Sequence, residues 1–194
     1  MLLRVVAAAA TIAAAALLGA ASAEPLDALI EQCAQCHGDG QRPAATPETP
    51  TLNGQPELYA LYQLVYFRQG QRKQTAMNDL VRDLDDDTLR ALARWVAELP
   101  DAPPDQGEPD PARYDRGAEL ARQHRCPVCH NPDFAGREHI PRLAGQREAY
   151  LSKALRDYKA GRRIGIQAAM VEVLTEIDDA GLDDLAHYLA HFRP

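Results

Sequence analysis

The clearest hydrophobic pattern along the chain occurs twice, once near residue 90 and once at the C-terminus. Each copy starts with an apolar residue and an aspartate, Leu84–Asp85 or Ile177–Asp178, and continues with apolar positions at helical spacing. Those positions are Leu89, Leu92, Trp95, Val96 and Leu99 in the first copy, and Leu182, Leu185, Tyr188, Leu189 and Phe192 in the second. Because aspartate is a strong N-cap and such spacing forms one buried stripe, the pattern predicts two amphipathic closing helices.

The rest of the chain shows little alternation of apolar and polar residues and few β-branched runs, so we predict an all-α protein. Residues 100–112 carry several prolines and acids, a composition typical of an extended, fairly stiff linker. This segment predicts two domains, at residues 24–99 and 113–194. Residues 1–23 resemble a cleaved signal peptide, with Arg4, an alanine-rich apolar run and Ala21-Ser22-Ala23. We therefore expect export to the periplasm, although an uncleaved anchor stays open.

The mature chain carries 20 basic and 28 acidic residues, a formal charge of −8. Such an acidic protein is poorly suited to bind nucleic acid. It is instead attracted to basic docking surfaces on other proteins, in a salt-dependent way.

All four cysteines lie in two C-x-x-C-H runs, Cys33–His37 and Cys126–His130. This is the attachment signature of c-type haem. Two thiols three residues apart can form thioethers with one porphyrin, and the adjacent histidine can bind its iron. The motif predicts two covalent haems, attached through Cys33, Cys36, Cys126 and Cys129.

The repetition extends well beyond the cysteines. Leu52–Gln55 recurs as Leu143–Gln146, with a proline two residues before each leucine, Pro50 or Pro141. Further matched pairs are Tyr59 and Tyr150, Leu64 and Leu155, Phe67 and Tyr158, Gly70 and Gly161, and Arg72 and Arg163. The two halves are therefore copies. Domains of this size have thin cores, and a covalent porphyrin would supply the missing apolar mass.

The mature chain has two methionines, Met77 and Met170, at matching places before the closing helices. Methionine is an axial haem ligand that raises the reduction potential. We therefore expect the pairs His37 with Met77 and His130 with Met170, while core filling is the other role of such methionines. The first half has no histidine besides His37. In the second half the rivals are His124, next to the motif, His139, in a loop, and His187 and His191, which we expect to be partly exposed.

Three other uses of the cysteines are a four-cysteine zinc site, disulfides, and a thioredoxin-type redox pair at Cys126 and Cys129. None of them explains the matched histidines and methionines. Other features leave alternatives open. Arg72 and Arg163 fit either haem propionates or plain surface charge. The carbonyls of Pro43, Pro50, Pro132 and Pro141 are all candidates to accept the second N–H of a ligand histidine.

The duplicated order C-x-x-C-H, P-x-L-x-G-Q, glycine, methionine and capped helix resembles the dihaem cytochrome c4 family. The resemblance covers nearly the whole mature chain and implies two tandem cytochrome c domains. It also implies an electron carrier, not an enzyme, whose partners are a redox donor and a terminal oxidase or other acceptor, some of them membrane-bound. The rival function is a cytochrome subunit of a dehydrogenase, or a small haem enzyme. Two departures are Gly117-x-x-Leu120, which has no first-half counterpart, and an unusual run at Asn131–Gly136.

Overall fold

The computed structural model describes residues 25–102, 104–163 and 168–194, so the expected signal peptide lies outside it. Up to Leu99, the first half folds into α1 Leu26–His37, α2 Glu57–Arg68, α3 Thr75–Val81 and α4 Asp86–Glu98. From Pro111 onwards, the second half folds into α5 Pro111–Gln123, α6 Cys126–His130, α7 Glu148–Lys159, α8 Ala168–Thr175 and α9 Asp179–His191. In these ranges the one pairing of β type is an isolated bridge between Arg137 and Ile140, which confirms the all-α prediction. None of the helices described is long and apolar enough to cross a membrane.

The closing helices α4 and α9 form as the sequence predicts. The Asp85 carboxylate accepts a hydrogen bond from the Thr88 N–H, and Asp178 accepts one from the Gly181 N–H, both at 2.8 Å. These caps satisfy donors that the first helical turn leaves unpaired. The short helices α3 and α8, which carry the methionines, were not predicted, because neither is long enough to show a periodic pattern.

Each half packs its own core. In the second half, buried residues of α5, α7, α8 and α9 and of the loops form one continuous cluster, which we call the second-half core. The first half has two smaller clusters. One contains Ala60, Ala93 and Val96, and the other contains Phe67, Val81 and Leu89.

The two halves open differently. Helix α1 runs without interruption through the first C-x-x-C-H motif, whereas α5 ends before the second motif. Arg125, in the left-handed conformation at φ 56°, then starts the separate helix α6. Helix α5 also begins inside the segment predicted as linker, since proline is favourable in the first turn of a helix.

The halves join through a symmetric exchange of hydrogen bonds. The Gln55 side chain bonds to the backbone of Arg142, and the matching Gln146 side chain bonds to the backbone of Thr51. The linker follows the surface of both halves. Asn53 donates to the Ala102 carbonyl at 3.1 Å, while Gln106 donates to the Ala190 carbonyl at 2.9 Å.

Candidate haem sites

The first motif occupies the last turns of α1. Cys33 is partly buried, Cys36 is exposed, and neither forms a disulfide. Burial raises the pKa of the Cys33 thiol to about 11. Helical spacing sets the two thiols one turn apart, as attachment to one porphyrin requires.

The second motif repeats this arrangement on α6. Cys126 packs against the second-half core, Cys129 is exposed, and both are free thiols. Burial raises the pKa of Cys126 to about 11, as in the first motif. In both motifs the first cysteine therefore faces the protein and the second faces solvent.

The geometry favours haem attachment over the other uses of the cysteines. All four cysteines are described, and none is bonded to another. Within the described ranges, the cluster suited to a metal ion is Glu148, His187 and His191, which contains no cysteine. The second motif lies on a helix, with no strand ladder around it of the kind that a thioredoxin-type fold requires.

Both motif histidines are oriented by a backbone carbonyl. His37 Nδ1 lies 2.8 Å from the Pro50 oxygen, and His130 Nδ1 lies 2.9 Å from the Pro141 oxygen. Because a carbonyl only accepts, Nδ1 carries the proton and Nε2 keeps the lone pair that binds a metal. Of the four candidate prolines, the structure selects these two, which occupy matching places in the repeat.

The environment of the histidines keeps them neutral, the state in which imidazole binds iron. Burial lowers the pKa of His37, and the positive charge of Arg72 lowers it further. Burial also lowers the pKa of His130. In each case the hydrogen bond to the proline carbonyl acts in the opposite direction and is outweighed.

The methionines hold equivalent positions in the two halves. Met77 is the third residue of α3, and Met170 is the third residue of α8. Met77 is partly buried beside Phe67, Val81 and Leu89, and Met170 packs in the same way against the second-half core. Both thioethers therefore lie in apolar surroundings.

Two of the other second-half histidines make contacts of their own. The His139 ring lies 6.4 Å from the ring of Tyr62, so it packs where the two halves meet. The expectation that His187 is partly exposed was wrong. Its side chain is buried, its Nδ1 lies 2.8 Å from Glu148, and its Nε2 accepts the Asp110 N–H. This residue ties α9 to α7 and to the start of α5, a tertiary contact that helical spacing does not reveal.

A cluster of arginines and tyrosines lies between the halves. Arg163 donates to the hydroxyl of Tyr59 at 2.8 Å, and both Arg163 and Arg72 donate to Tyr150 and to Gln63. Arg163 is only 9% exposed, so plain surface charge does not describe it. Each guanidinium also stacks on a matched ring of its own half, Phe67 for Arg72 and Tyr158 for Arg163.

This cluster has a surplus of positive charge. No carboxylate of the described residues pairs with Arg72 or Arg163, and the buried Arg163 Nε has no hydrogen-bond partner. Burial raises the pKa of Tyr150, but the two guanidiniums outweigh it and bring that pKa to about 7. A buried cation normally has an anionic partner. The cluster thus fits the carboxylates of haem propionates.

The unusual run after the second motif is an ordered loop. Asn131 and Phe134 both adopt positive φ, at 68° and 52°, and Asn131 donates to the Gly136 carbonyl. This turn buries Phe134, which is 1% exposed, in the second-half core. The Phe134 carbonyl also accepts hydrogen bonds from the N–H groups of Leu143 and Ala144, which fixes the position of the segment that contains Pro141. The loop therefore holds Pro141 where its carbonyl accepts the hydrogen bond from His130.

Comparison with known proteins agrees with this architecture. The model of the cytochrome c family matches residues 114–193, and that of subunit III of cbb3-type cytochrome c oxidase matches residues 21–96. Cytochrome c4 of Stutzerimonas stutzeri is 30% identical, with 88% of this chain and 89% of the relative covered. A thiosulfate dehydrogenase electron acceptor of Thiomonas intermedia is also 30% identical, over 81% of this chain and 77% of that protein.

The fold shows the same relationship. The crystal structure of reduced cytochrome c4 from Pseudomonas stutzeri superposes with a TM-score of 0.75 at 27% identity, covering 88% of this chain and 100% of that one. Two cytochrome c domains, two attachment motifs and the identity over most of both chains lead to one conclusion. The chain belongs to the cytochrome c4 family of dihaem electron-transfer proteins, with one covalently bound haem c in each domain.

Proposed function

We propose that the protein is a periplasmic electron carrier that passes electrons from a redox donor to a terminal oxidase or other acceptor. The thioether residues are Cys33, Cys36, Cys126 and Cys129, and the axial pairs are His37 with Met77 and His130 with Met170. The duplicated bond from histidine Nδ1 to a proline carbonyl carries this proposal, because it leaves Nε2 of both histidines available to iron. Each bound haem supplies an iron that cycles between the ferrous and ferric states.

The chain's own residues keep the two sites closed to substrates. His37 with Met77, and His130 with Met170, would occupy both axial positions of a bound haem iron, an arrangement that favours electron transfer over catalysis. Met77 and Met170 are partly buried against apolar residues of their own halves. Arg72 and Arg163, which contact residues of both halves, would neutralise the haem propionates.

Competition for the ligand positions is weak. His139 packs against Tyr62 of the first half, and His187 uses both ring nitrogens in hydrogen bonds. These contacts support methionine as the second ligand of both irons.

Substitution of the methionines tests the ligand assignment. Met77→Ala and Met170→Ala should each remove one of two methionine–iron absorption features and lower one of two reduction potentials in a redox titration. His139→Ala, the control, should leave both features intact. Two unchanged haems after either methionine substitution would overturn the assignment.

The proposed domain boundaries are 24–99 and 113–194, with a linker at 100–112 and a signal peptide at 1–23 that is removed on export. The docked linker supports this division, since Asn53 on one side and Gln106 on the other fasten it to separate halves. Mass spectrometry of protein recovered from the periplasm should give a mature N-terminus at Glu24 and two haems. Retention of residues 1–23 would instead indicate a membrane anchor.

A second function is that of electron acceptor to a dehydrogenase, as the name of the Thiomonas intermedia relative suggests. The charge of this chain bears on the choice of partner. The first half and the linker hold all of the net negative charge, with seven basic against twelve acidic residues in 24–99 and none against four in 100–112. The second half is nearly neutral, with thirteen basic against twelve acidic residues in 113–194. A donor with a basic surface would dock there. A stable complex with a dehydrogenase after mild purification favours this second function, and a free chain favours the diffusing carrier.

A further inference from the structure

Each glutamine that joins the halves bonds through its side-chain amide to both the N–H and the carbonyl of one residue in the other half. Gln146 Oε1 accepts the Thr51 N–H at 3.0 Å, and its Nε2 donates to the Thr51 carbonyl at 2.8 Å. Gln55 repeats this with Arg142, accepting at 3.2 Å and donating at 3.0 Å. Because backbone N–H groups only donate and carbonyls only accept, these contacts fix the orientation of both amides. Both glutamines are buried, at 4% and 7% exposure.

Each glutamine amide and one motif histidine form hydrogen bonds with the same peptide group. The Pro50 oxygen and the Thr51 nitrogen belong to the same peptide bond. The oxygen accepts from His37 Nδ1, and the N–H donates to Gln146. A continuous chain of hydrogen bonds therefore runs from Gln146 in the second half to His37 in the first.

A second, equivalent series of hydrogen bonds runs in the opposite direction, from Gln55 in the first half to His130 in the second. The Pro141 oxygen accepts from His130 Nδ1, and the N–H of the same peptide bond, that of Arg142, donates to Gln55 in the first half. Each half thus supplies the amide that acts on the histidine of the other half.

Hydrogen bonds in such chains strengthen one another. A peptide whose N–H donates to a good acceptor carries more negative charge on its oxygen, so that oxygen becomes a better acceptor. A stronger bond at histidine Nδ1 makes the imidazole a more electron-rich ligand and holds it in one orientation. An electron-rich ligand favours ferric over ferrous iron, and it lowers the reduction potential.

We propose that Gln146 and Gln55 are positioning residues that tune the iron of the opposite domain, Gln146 through His37 and Gln55 through His130. This proposal rests on the ligand assignment given above. It makes the docked interface part of both redox sites, since separation of the domains would remove one amide from each chain of hydrogen bonds.

The crossed arrangement gives a test that a merely structural role would not pass. Gln146→Leu and Gln55→Leu keep most of the packing volume and remove the amide, and each serves as the matched control of the other. The readouts are the two reduction potentials and the ¹H NMR signals of the two ligand-histidine Nδ1–H groups. Met77→Ala and Met170→Ala assign these signals to one haem or the other.

Gln146→Leu should raise the potential of the His37 haem and shift the His37 Nδ1–H signal, with the His130 signals unchanged. Gln55→Leu should do the reverse. Equal changes at both haems, changes confined to the substituted half, or no change at all would overturn the proposal. A parent protein without methionine–iron absorption would instead overturn the ligand assignment, so the two failures are distinguishable.

If a leucine variant does not fold, Gln146→Ala and Gln55→Ala provide the same crossed comparison with a smaller side chain.

Discussion

The two halves carry the same haem-attachment motif on unequal scaffolds. Among the residues that the structure describes, the second half has one continuous core of twelve buried residues, whereas the first half has two separate clusters of three. A small core contributes less hydrophobic stabilisation, so the covalent haem must contribute a larger share in the first half. Duplication preserved the residues that hold the cofactor and left the support around them free to diverge.

The opening helices show the same contrast. In the second half, Gly117 lets α5 approach α9 so closely that a Cβ atom on Gly117 would lie 2.2 Å from the backbone carbonyl oxygen of Asp184. Arg116 then pairs with the Asp184 carboxylate at 2.6 Å, and Arg113 lies 3.5 Å from it. Helix α1 has no such glycine in its sequence, and it packs on α4 without a described ion pair between the two helices. The second half is therefore fastened in a way that the first is not.

The largest expected effect comes from Phe134→Ala. This side chain fills the second-half core and makes edge contacts with Tyr188 and Phe192, at 5.8 and 4.9 Å between ring centroids. Removing a buried phenylalanine should cost the second half about 3–5 kcal/mol of unfolding free energy. Denaturant unfolding followed by circular dichroism should show an early transition. The fluorescence of Trp95, the single tryptophan and a reporter for the first half, should keep its midpoint.

A simultaneous shift of both signals would mean that the halves unfold as one unit.

Gly117→Ala should have the next largest effect. The added methyl group meets the backbone of α9, which cannot move aside as a flexible side chain can. We expect a loss of about 1–3 kcal/mol, again in the second half alone. Gln123→Ala, at an exposed position on the same helix, should change the stability by less than about 0.5 kcal/mol. Equal effects of the two substitutions would contradict the close helix contact.

Acid should weaken the second half through Asp184. The hydrogen bond from Arg116 lowers the pKa of this carboxyl from its ordinary value. A carboxyl with a lowered pKa in the folded state stabilises the protein above its unfolded pKa, about 4, and this contribution disappears as the pH falls through the folded value. Asp184→Asn should therefore cost about 1–2 kcal/mol at neutral pH and flatten the loss of stability below pH ~4. Urea titrations at pH 7 and pH 3 measure both quantities, and an undiminished acid effect in the variant would assign it to other carboxyls.

The smallest effect should be the same in both halves. Asp85 and Asp178 cap the closing helices with hydrogen bonds of equal length, 2.8 Å. Asp85→Ala and Asp178→Ala should each cost about 1 kcal/mol, since an N-cap acts locally. Thermal melts of the two variants provide the measurement. A clearly larger loss for one of them would show that the cap also depends on the core behind it.

Much of the fold and of the candidate site could be predicted because the signals are local. The caps, the helical stripes of α4 and α9 and the spacing of the C-x-x-C-H motif each involve residues within a few turns of one another. Helices α3 and α8 could not be predicted in this way, because a helix of seven or eight residues shows too few repeats of the pattern.

Long-range contacts set the limit of prediction. The helical spacing of α9 places His187 beside the buried stripe, where we expected partial exposure. The linker residue Asp110 and Glu148 of α7 bond to its ring and cover it. Phe134 lies in a loop whose sequence gives no sign of burial, and its positive φ turns the ring into the core. Both depend on segments that are distant in the sequence, and no local pattern records their approach.

By itself, the sequence determined that the protein is a helical duplication with two haem-attachment motifs, one methionine in each half and a proline-rich connection. Those properties follow from covalent spacing and local backbone preference. The tertiary structure alone decided that Pro50 and Pro141 hold the histidines, and that Gln146 and Gln55 reach the opposite halves. The physical reason is that a buried hydrogen bond depends on which groups the packing of distant segments leaves side by side.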